Sequence, residues 1–472
     1  MSATASSLPT PTALELLQAL RRQLGDSAVL IGDDVPERNR NDWSSQPPTR
    51  PLAVVRPLDA AGVSAALRCC AQAGLKAVPQ GGLTGLCGGA RPEDGWVAIS
   101  LERMVGVEEI DAASSTMTVR AGTPLEAVQR AADEAGLYFA LDLGARGSCA
   151  IGGNLGTNAG GNRVIRYGMA RELVLGLEVV LPDGTVITSL NKMLKNNAGY
   201  DLKHLFIGSE GTLGIITRIV LRLHAKPRCT LAALCAVSDF GQVVGLLRAA
   251  RSGLGPLLSA FEVMWPDYWQ VVTERAKVPA AVGSGHAQYV LIEAQGTDEA
   301  VDAPRFQAWL ESLMEQGLLA DAAVAQSLAD VQGFWALRDA CAEFFQVIGP
   351  HISFDVSLPV GRMAEFAARC KQALKDQAGC ESIYYGHIGD GNLHLVAWAD
   401  GKSLDQQPKA AMDEAIYGLV QEFAGSVSAE HGIGTQKRKW LGHSRSEAEI
   451  ALMRTLKAAL DPQGVLNPGK VI

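Results

Sequence analysis

The sequence predicts an α+β protein with two principal domains, and three observations carry that expectation. The chain has 472 residues, 47% of them hydrophobic and 19% charged, enough apolar content and length to fill more than one core. Up to about residue 226 short strand-like runs alternate with helical periodicity and the segment is rich in glycine. Beyond Pro227 the glycine-rich character fades, and helical stretches alternate with strand-like ones, the pattern of helices against a mostly antiparallel sheet. The expected parts are an N-terminal helical segment over 1–50, a first domain over 51–226, a second over 227–440 and a C-terminal segment over 441–472.

Each element has a local reason. Leu14, Leu16, Leu17, Leu20 and Leu24 recur at helical spacing and predict an amphipathic helix over 11–25. A polar, proline-containing stretch follows to Arg50. Ala53-Val54-Val55 reads as a strand, 59–74 as a helix opened by Asp59, and 76–79 as a second strand, a β-α-β unit that ends in a glycine loop. Strands are expected at 97–100, 117–120, 175–181 and 215–223, with a helix at 124–135. In the second domain the helices are 239–252, 301–316 and 360–377, and the strands 287–294 and 352–357. Tyr384 to Ile388 and Leu393 to Trp398 flank Gly389-Asp390-Gly391-Asn392, a four-residue turn expected to set His387 opposite His394. A helix over 450–460 is stopped by Pro462.

Composition excludes several classes of function. The 42 Lys and Arg against 50 Asp and Glu give a net charge of −8, the wrong sign for a nucleic-acid binder. Nine scattered cysteines without a Cys-x-x-Cys pair suggest neither a disulfide framework nor an iron–sulfur cluster. Residues 1–10 lack a charged region followed by an apolar one, and no apolar run is long enough to span a bilayer; a cytoplasmic location is the expectation.

Two groups of motifs carry chemistry. The first is three glycine-rich stretches, residues 79–89, 142–161 and 208–216. Glycines let consecutive backbone N–H groups close on an anion, so three such stretches in one domain fit a long ligand such as a dinucleotide, touched mainly by backbone. They match neither a Walker A loop, which ends in Gly-Lys-Ser/Thr, nor the Rossmann fingerprint, whose glycines open directly onto a helix. The second group is His387-Ile-Gly-Asp-Gly-Asn-Leu-His394 and Ser428-Ala-Glu430-His431-Gly-Ile-Gly434. Two imidazoles on one face reach one metal ion, with Glu430 a candidate third ligand and one position left open. If residues 428–431 are extended, Glu430 and His431 point to opposite faces, one to the metal and one to a substrate.

With these motifs, the sequence resembles the FAD-linked oxidases of the vanillyl-alcohol-oxidase type, in particular the D-2-hydroxy acid dehydrogenase group. The resemblance spans almost the whole chain and is most specific at 208–214, 386–394, 428–434 and Leu466-Asn-Pro-Gly-Lys470. It implies an FAD-binding domain with a substrate cap, and FAD contacts from Gln80, Gly81, Gly82, Leu83, Thr84, Gly85 and Leu86. Further contacts are implied from Asp142, Gly147, Ser148, Gly152, Gly153, Thr157, Asn158 and Gly160, and from Glu210, Gly211, Ile215 and Ile216. No histidine precedes His204, so the histidine linkage of some relatives is unavailable and noncovalent FAD is expected. The resemblance further implies His387, His394 and Glu430 as metal ligands, His431 as the base facing substrate, and Arg338 as the group that binds the substrate carboxylate. Zinc suits this donor set, with iron and manganese as alternatives.

The implied reaction oxidises a D-2-hydroxy acid to the 2-oxo acid, with hydride transfer to flavin N5. Ala342, Ser353 and Val396 stand where the hydroxyglutarate branch carries Thr, Lys and Asn. Losing a cation and two hydrogen-bonding groups favours a monocarboxylate of the D-lactate kind. D-2-hydroxyglutarate or D-malate oxidation is the alternative, and a flavin-dependent transferase of the ether-lipid synthase kind a more distant one. Reoxidation calls for an external acceptor, with an electron-transfer flavoprotein, a quinone and a cytochrome as the family's options. A homodimer is one option for the assembly.

Overall fold

Asp59 takes an extended conformation and accepts the Gly62 amide with its carboxylate, which starts the helix Ala60–Ala73 where the sequence places it. The computed structural model describes residues 11–472, so the reading of residues 1–10 lies outside the described residues. The first helix, Pro11–Leu24, buries Leu16, Leu17 and Leu20 against this part of the chain. The strands Ala53–Val55 and Ala77–Gln80 do flank the Ala60–Ala73 helix. They are not neighbours, however: Val97–Ser100 lies between them and pairs parallel with both. Val29–Leu30 completes a four-stranded sheet.

A five-stranded antiparallel sheet packs beside it, in the order Val107–Asp111, Thr116–Arg120, Ile215–Arg222, Val174–Val180, Val186–Ser189. Both sheets share one apolar core, which also takes in Val465 and Leu466. The C-terminal residues thus return to the first sheet, where Leu466 bridges Ala77.

The remaining large sheet has seven strands. Their order is Asp321–Val324, Cys229–Val237, Gln288–Gly296, Leu258–Met264, Glu381–Gly386, Asn392–Trp398, Ile352–Ser357, and every pairing is antiparallel. Ala233, Cys235 and Val237 join one apolar cluster and Ala232, Leu234 and Ala236 another. Period-two alternation therefore buries both faces, which is why this strand reads as a continuous apolar run. The first face is covered by the helices Phe240–Leu254, Glu299–Glu315, Met363–Ala378 and Lys409–Glu422. The second face meets the helix Leu328–Asp339 and turns toward the glycine-rich domain. No helix among the described residues is long and apolar enough to cross a membrane.

Two local expectations change. Tyr385, not His387, opposes His394 across the hairpin, because the strand ends at Gly386 and residues 387–391 form a longer loop closed by Gly391 at φ +91°. Residues 428–431 are not extended. Their backbone curls so that three successive amides converge on one carboxylate oxygen.

Candidate active site

The second face of the large sheet assembles the polar groups. His394 is opposed by Tyr385 on one side and by Asp355 on the other, so the three form a row across adjacent strands. Asp355 is fully buried and its Oδ2 accepts the amides of Ala429, Glu430 and His431 at 3.0, 2.9 and 3.0 Å. Burial works against that charge, but His431, Lys437 and His394 outweigh it and hold the carboxyl far below the usual range. Asp355 Oδ1 has no hydrogen-bond partner and lies 3.8 Å from His394 Nδ1.

His387 sits over the row, its ring 5.1 Å from that of His394. Its Nδ1 meets Glu262 Oε1 at 2.6 Å, and its Nε2 lies 3.0 Å from Arg338 Nη2. Arg338 Nε donates to Glu262 Oε2 at 2.8 Å, and the guanidinium lies 5.6 Å from the Tyr385 ring. Burial alone would depress His387; the Glu262 carboxylate overrides it and raises the imidazole to about 9, while Glu262 falls to about 2 despite its burial, through His387 and Arg338. His394 and His431 are pushed down, each chiefly by burial.

The expected metal ligands are only partly gathered. His387 and His394 are ring to ring, whereas Glu430 Oε1 accepts the Gly161 amide at 3.0 Å. Among the described residues, the set whose donor atoms all lie within 4.8 Å of one another is Asp355, His394 and His431. Of the residues expected to shape the distal pocket, Ser353 pairs with Val396 two positions along the strands from the Asp355–His394 pair. Val396 is buried beside Ile383 and Trp398, Ser353 is exposed, and Ala342 is exposed in the turn Ala340–Glu343.

The first two of the three glycine-rich stretches meet at a cleft of about 610 Å³. Gly81, Gly82 and Leu83 line it with Gly147 and Ser148, and Arg38 and Trp43 add walls from the polar segment before Arg50. A Cβ at Gly82 would overlap the Ser148 carbonyl and lie 2.7 Å from Cys149 Cα, so glycine is what lets the two stretches touch. Gly152 lies against Ala121 at the start of the short helix Ile151–Gly156, which also holds Gly153 and leads into Thr157. A Cβ at Gly160 would fall 2.5 Å from Glu430 Oε1, so this stretch runs directly beneath the 428–434 loop.

Several expected FAD contacts have their side chains committed elsewhere. Gln80 is bonded to Asn39 and to the Ala90 carbonyl. Glu210 accepts the amides of Ile433 and Gly434 at 2.6 and 2.8 Å, joining the 208–216 stretch to the 428–434 loop. Asp142 is paired with Arg146 and Arg163, Asn158 accepts the Arg171 amide, and Ile215 and Ile216 lie in the core. Thr84 and Gly85 lie partly buried and Leu86 exposed on the first loop, with Gly211 packed on Pro79.

The domains are also joined through Arg163, which reaches Glu293 at 3.1 Å and pairs with Asp142. Glu293 in turn accepts from Ser259 and Trp335 at 2.8 and 2.9 Å. Sequence reasoning missed Glu262 and Glu293. The signal available was a carboxylate in the middle of a β-rich apolar run, Ala260-Phe-Glu262-Val-Met264 and Leu291-Ile-Glu293-Ala294.

Residues 51–189 match the FAD binding domain family, and residues 226–471 match the C-terminal domain of the FAD linked oxidases. The chain is 41% identical to a D-2-hydroxyglutarate dehydrogenase of Xanthomonas citri pv. viticola, with 92% of each chain covered. It is 34% identical to a putative mitochondrial D-lactate dehydrogenase of Schizosaccharomyces pombe, covering 91% of this chain and 84% of that one. Among solved structures, p-cresol methylhydroxylase with substrate bound shares the fold with a TM-score of 0.80 at 17% identity, covering 98% of this chain and 97% of the other.

Proposed function

Since the chain belongs to the FAD-linked oxidase family, we propose that it is an FAD-dependent dehydrogenase of D-2-hydroxy acids, acting at the site built around Arg338, His387, His394 and His431. The observation that carries this reading is the contact of Glu430 with the Gly161 amide, which seats the His431 loop on the glycine stretch of the FAD-binding domain. FAD fits the cleft lined by the 81–83 and 147–148 backbones, which touch one another because Gly82 has no side chain. A divalent metal fits the donor set of two imidazoles and Glu430, backed by the unpartnered Oδ1 of buried Asp355. His387, His394 and Glu430 are the residues that would hold it. When bound, FAD supplies a hydride acceptor and the metal polarises a substrate hydroxyl.

The chain's own groups do the rest. Arg338 is buried and permanently charged, and its planar fork suits a carboxylate. His431, whose imidazole burial pushes below its ordinary value, takes the hydroxyl proton on an imidazole nitrogen. Asp355 fixes the backbone that carries His431. On the substrate side chain, Ser353 and Val396 offer neither a cation nor an amide next to the Asp355–His394 pair, which favours a monocarboxylate over a second carboxylate. An acceptor outside the chain reoxidises the flavin.

Replacing His431 with alanine is expected to abolish anaerobic flavin reduction by substrate while the bound flavin spectrum stays intact. Reduction at the normal rate would refute the base assignment. Flavin bleaching across D-lactate, D-2-hydroxybutyrate, D-malate and D-2-hydroxyglutarate decides the side chain, and preference for the two dicarboxylates would overturn the monocarboxylate reading.

A further inference from the structure

Glu262 is a buried carboxylate at the centre of this site with no role in the chemistry above. It projects from the strand Leu258–Met264, is 1% exposed, and touches two groups at once. Oε1 lies 2.6 Å from His387 Nδ1, and Oε2 accepts Arg338 Nε at 2.8 Å. Arg338 Nη2, 3.0 Å from His387 Nε2, closes the ring of contacts.

Arg338 Nη2 lies 3.0 Å from His387 Nε2 and 3.4 Å from Nδ1; a donor almost equidistant from both ring nitrogens sits over the face of the imidazole and leaves the in-plane Nε2 lone pair free. The role of Nδ1 is forced. An ionised carboxylate only accepts, so His387 Nδ1 must carry the proton. We infer that Glu262 is a positioning residue, which fixes His387 as the Nδ1–H tautomer and keeps its Nε2 lone pair available to a divalent metal, while holding Arg338 against the same ring. This rests on the metal reading proposed above. A carboxylate behind a ligating histidine is a general device for setting ring orientation and basicity.

The competing explanation is that Glu262 only neutralises the buried Arg338 charge. Glu262→Gln separates the two. Glutamine has one oxygen and one NH2, and Arg338 Nε must be met by the oxygen. The NH2 then faces His387 Nδ1, which has to accept, and the ring proton moves to Nε2. The variant keeps the size and the Arg338 contact but reverses the tautomer.

The test titrates Zn²⁺ into chelator-stripped, FAD-containing protein against a colorimetric chelator. Glu262→Gln is expected to bind Zn²⁺ about 10–100-fold more weakly than wild type, with flavin content and far-UV circular dichroism unchanged. Equal affinity in both proteins overturns the inference and leaves the metal reading standing. A wild type that takes up no divalent metal overturns the metal reading and this inference with it. Should the variant not fold, ¹⁵N-histidine spectra of stripped wild type decide, recorded at a pH above the His387 value of about 9 so that the ring is neutral, with the His387 signal assigned from its loss in His387→Gln. The Nδ1–H tautomer supports the role of Glu262, and an Nε2–H tautomer overturns it.

Discussion

Removing the Asp355 carboxylate should cost more than any other single truncation near the site. In Asp355→Ala the amides of Ala429, Glu430 and His431, now bonded at 2.9–3.0 Å, lose their common acceptor. Hydrogen bonds to a charged group contribute about 1.5–3 kcal/mol each, and three of them would sum to about 5–9 kcal/mol if independent. They share one oxygen and are coupled, so the lower end, about 5 kcal/mol, is the expected loss. That is a large fraction of the roughly 5–15 kcal/mol by which a folded protein is stable. Asp355→Asn keeps an acceptor but not the charge and should lose roughly half as much, since neutral bonds are about half as strong. Urea unfolding followed by tryptophan fluorescence measures both. Flavin reduction by substrate should fall with Asp355→Asn as well, because His431 is carried by the same loop. An alanine variant within about 1 kcal/mol of wild type would refute the claim that this carboxylate builds the loop.

Three further outcomes are expected. Arg163→Met leaves Glu293 buried without its cation and should destabilise by about 3–5 kcal/mol, seen as a lower thermal midpoint with earlier flavin release. Gly82→Ala places a Cβ on the Ser148 carbonyl and should yield folded but flavin-poor protein, read from the ratio of visible to ultraviolet absorbance. Glu262 has its carboxyl lowered to about 2 from an ordinary 4.5, so its contribution is complete above the ordinary value and is lost as pH falls through the folded one. Acid titration of stability should therefore show a loss between about pH 4.5 and 2 that is reduced in Glu262→Gln; an identical acid limb in both proteins would count against the ion pair.

Much of this protein is set by local sequence. Asp59 caps its helix, Gly391 closes a turn, and alternation along 352–357 and 392–398 puts Asp355, His394 and Val396 on one sheet face. The flavin and hydroxy-acid motifs were legible because backbone-cradling glycines and paired imidazoles lie close together in the chain. The tertiary structure decided what depends on distant partners. Hairpin register moved Tyr385, not His387, opposite His394, because loop length is fixed by how 387–391 packs and not by the turn residues alone. The curl of 428–431 exists because Asp355, over 70 residues away, supplies the acceptor. Glu262 and Glu293 read as stray charges in apolar strands until Arg338, His387 and Arg163 are brought to them. A buried charge is tolerable only with a partner, and that partner is chosen by the fold, across a separation that no local pattern encodes.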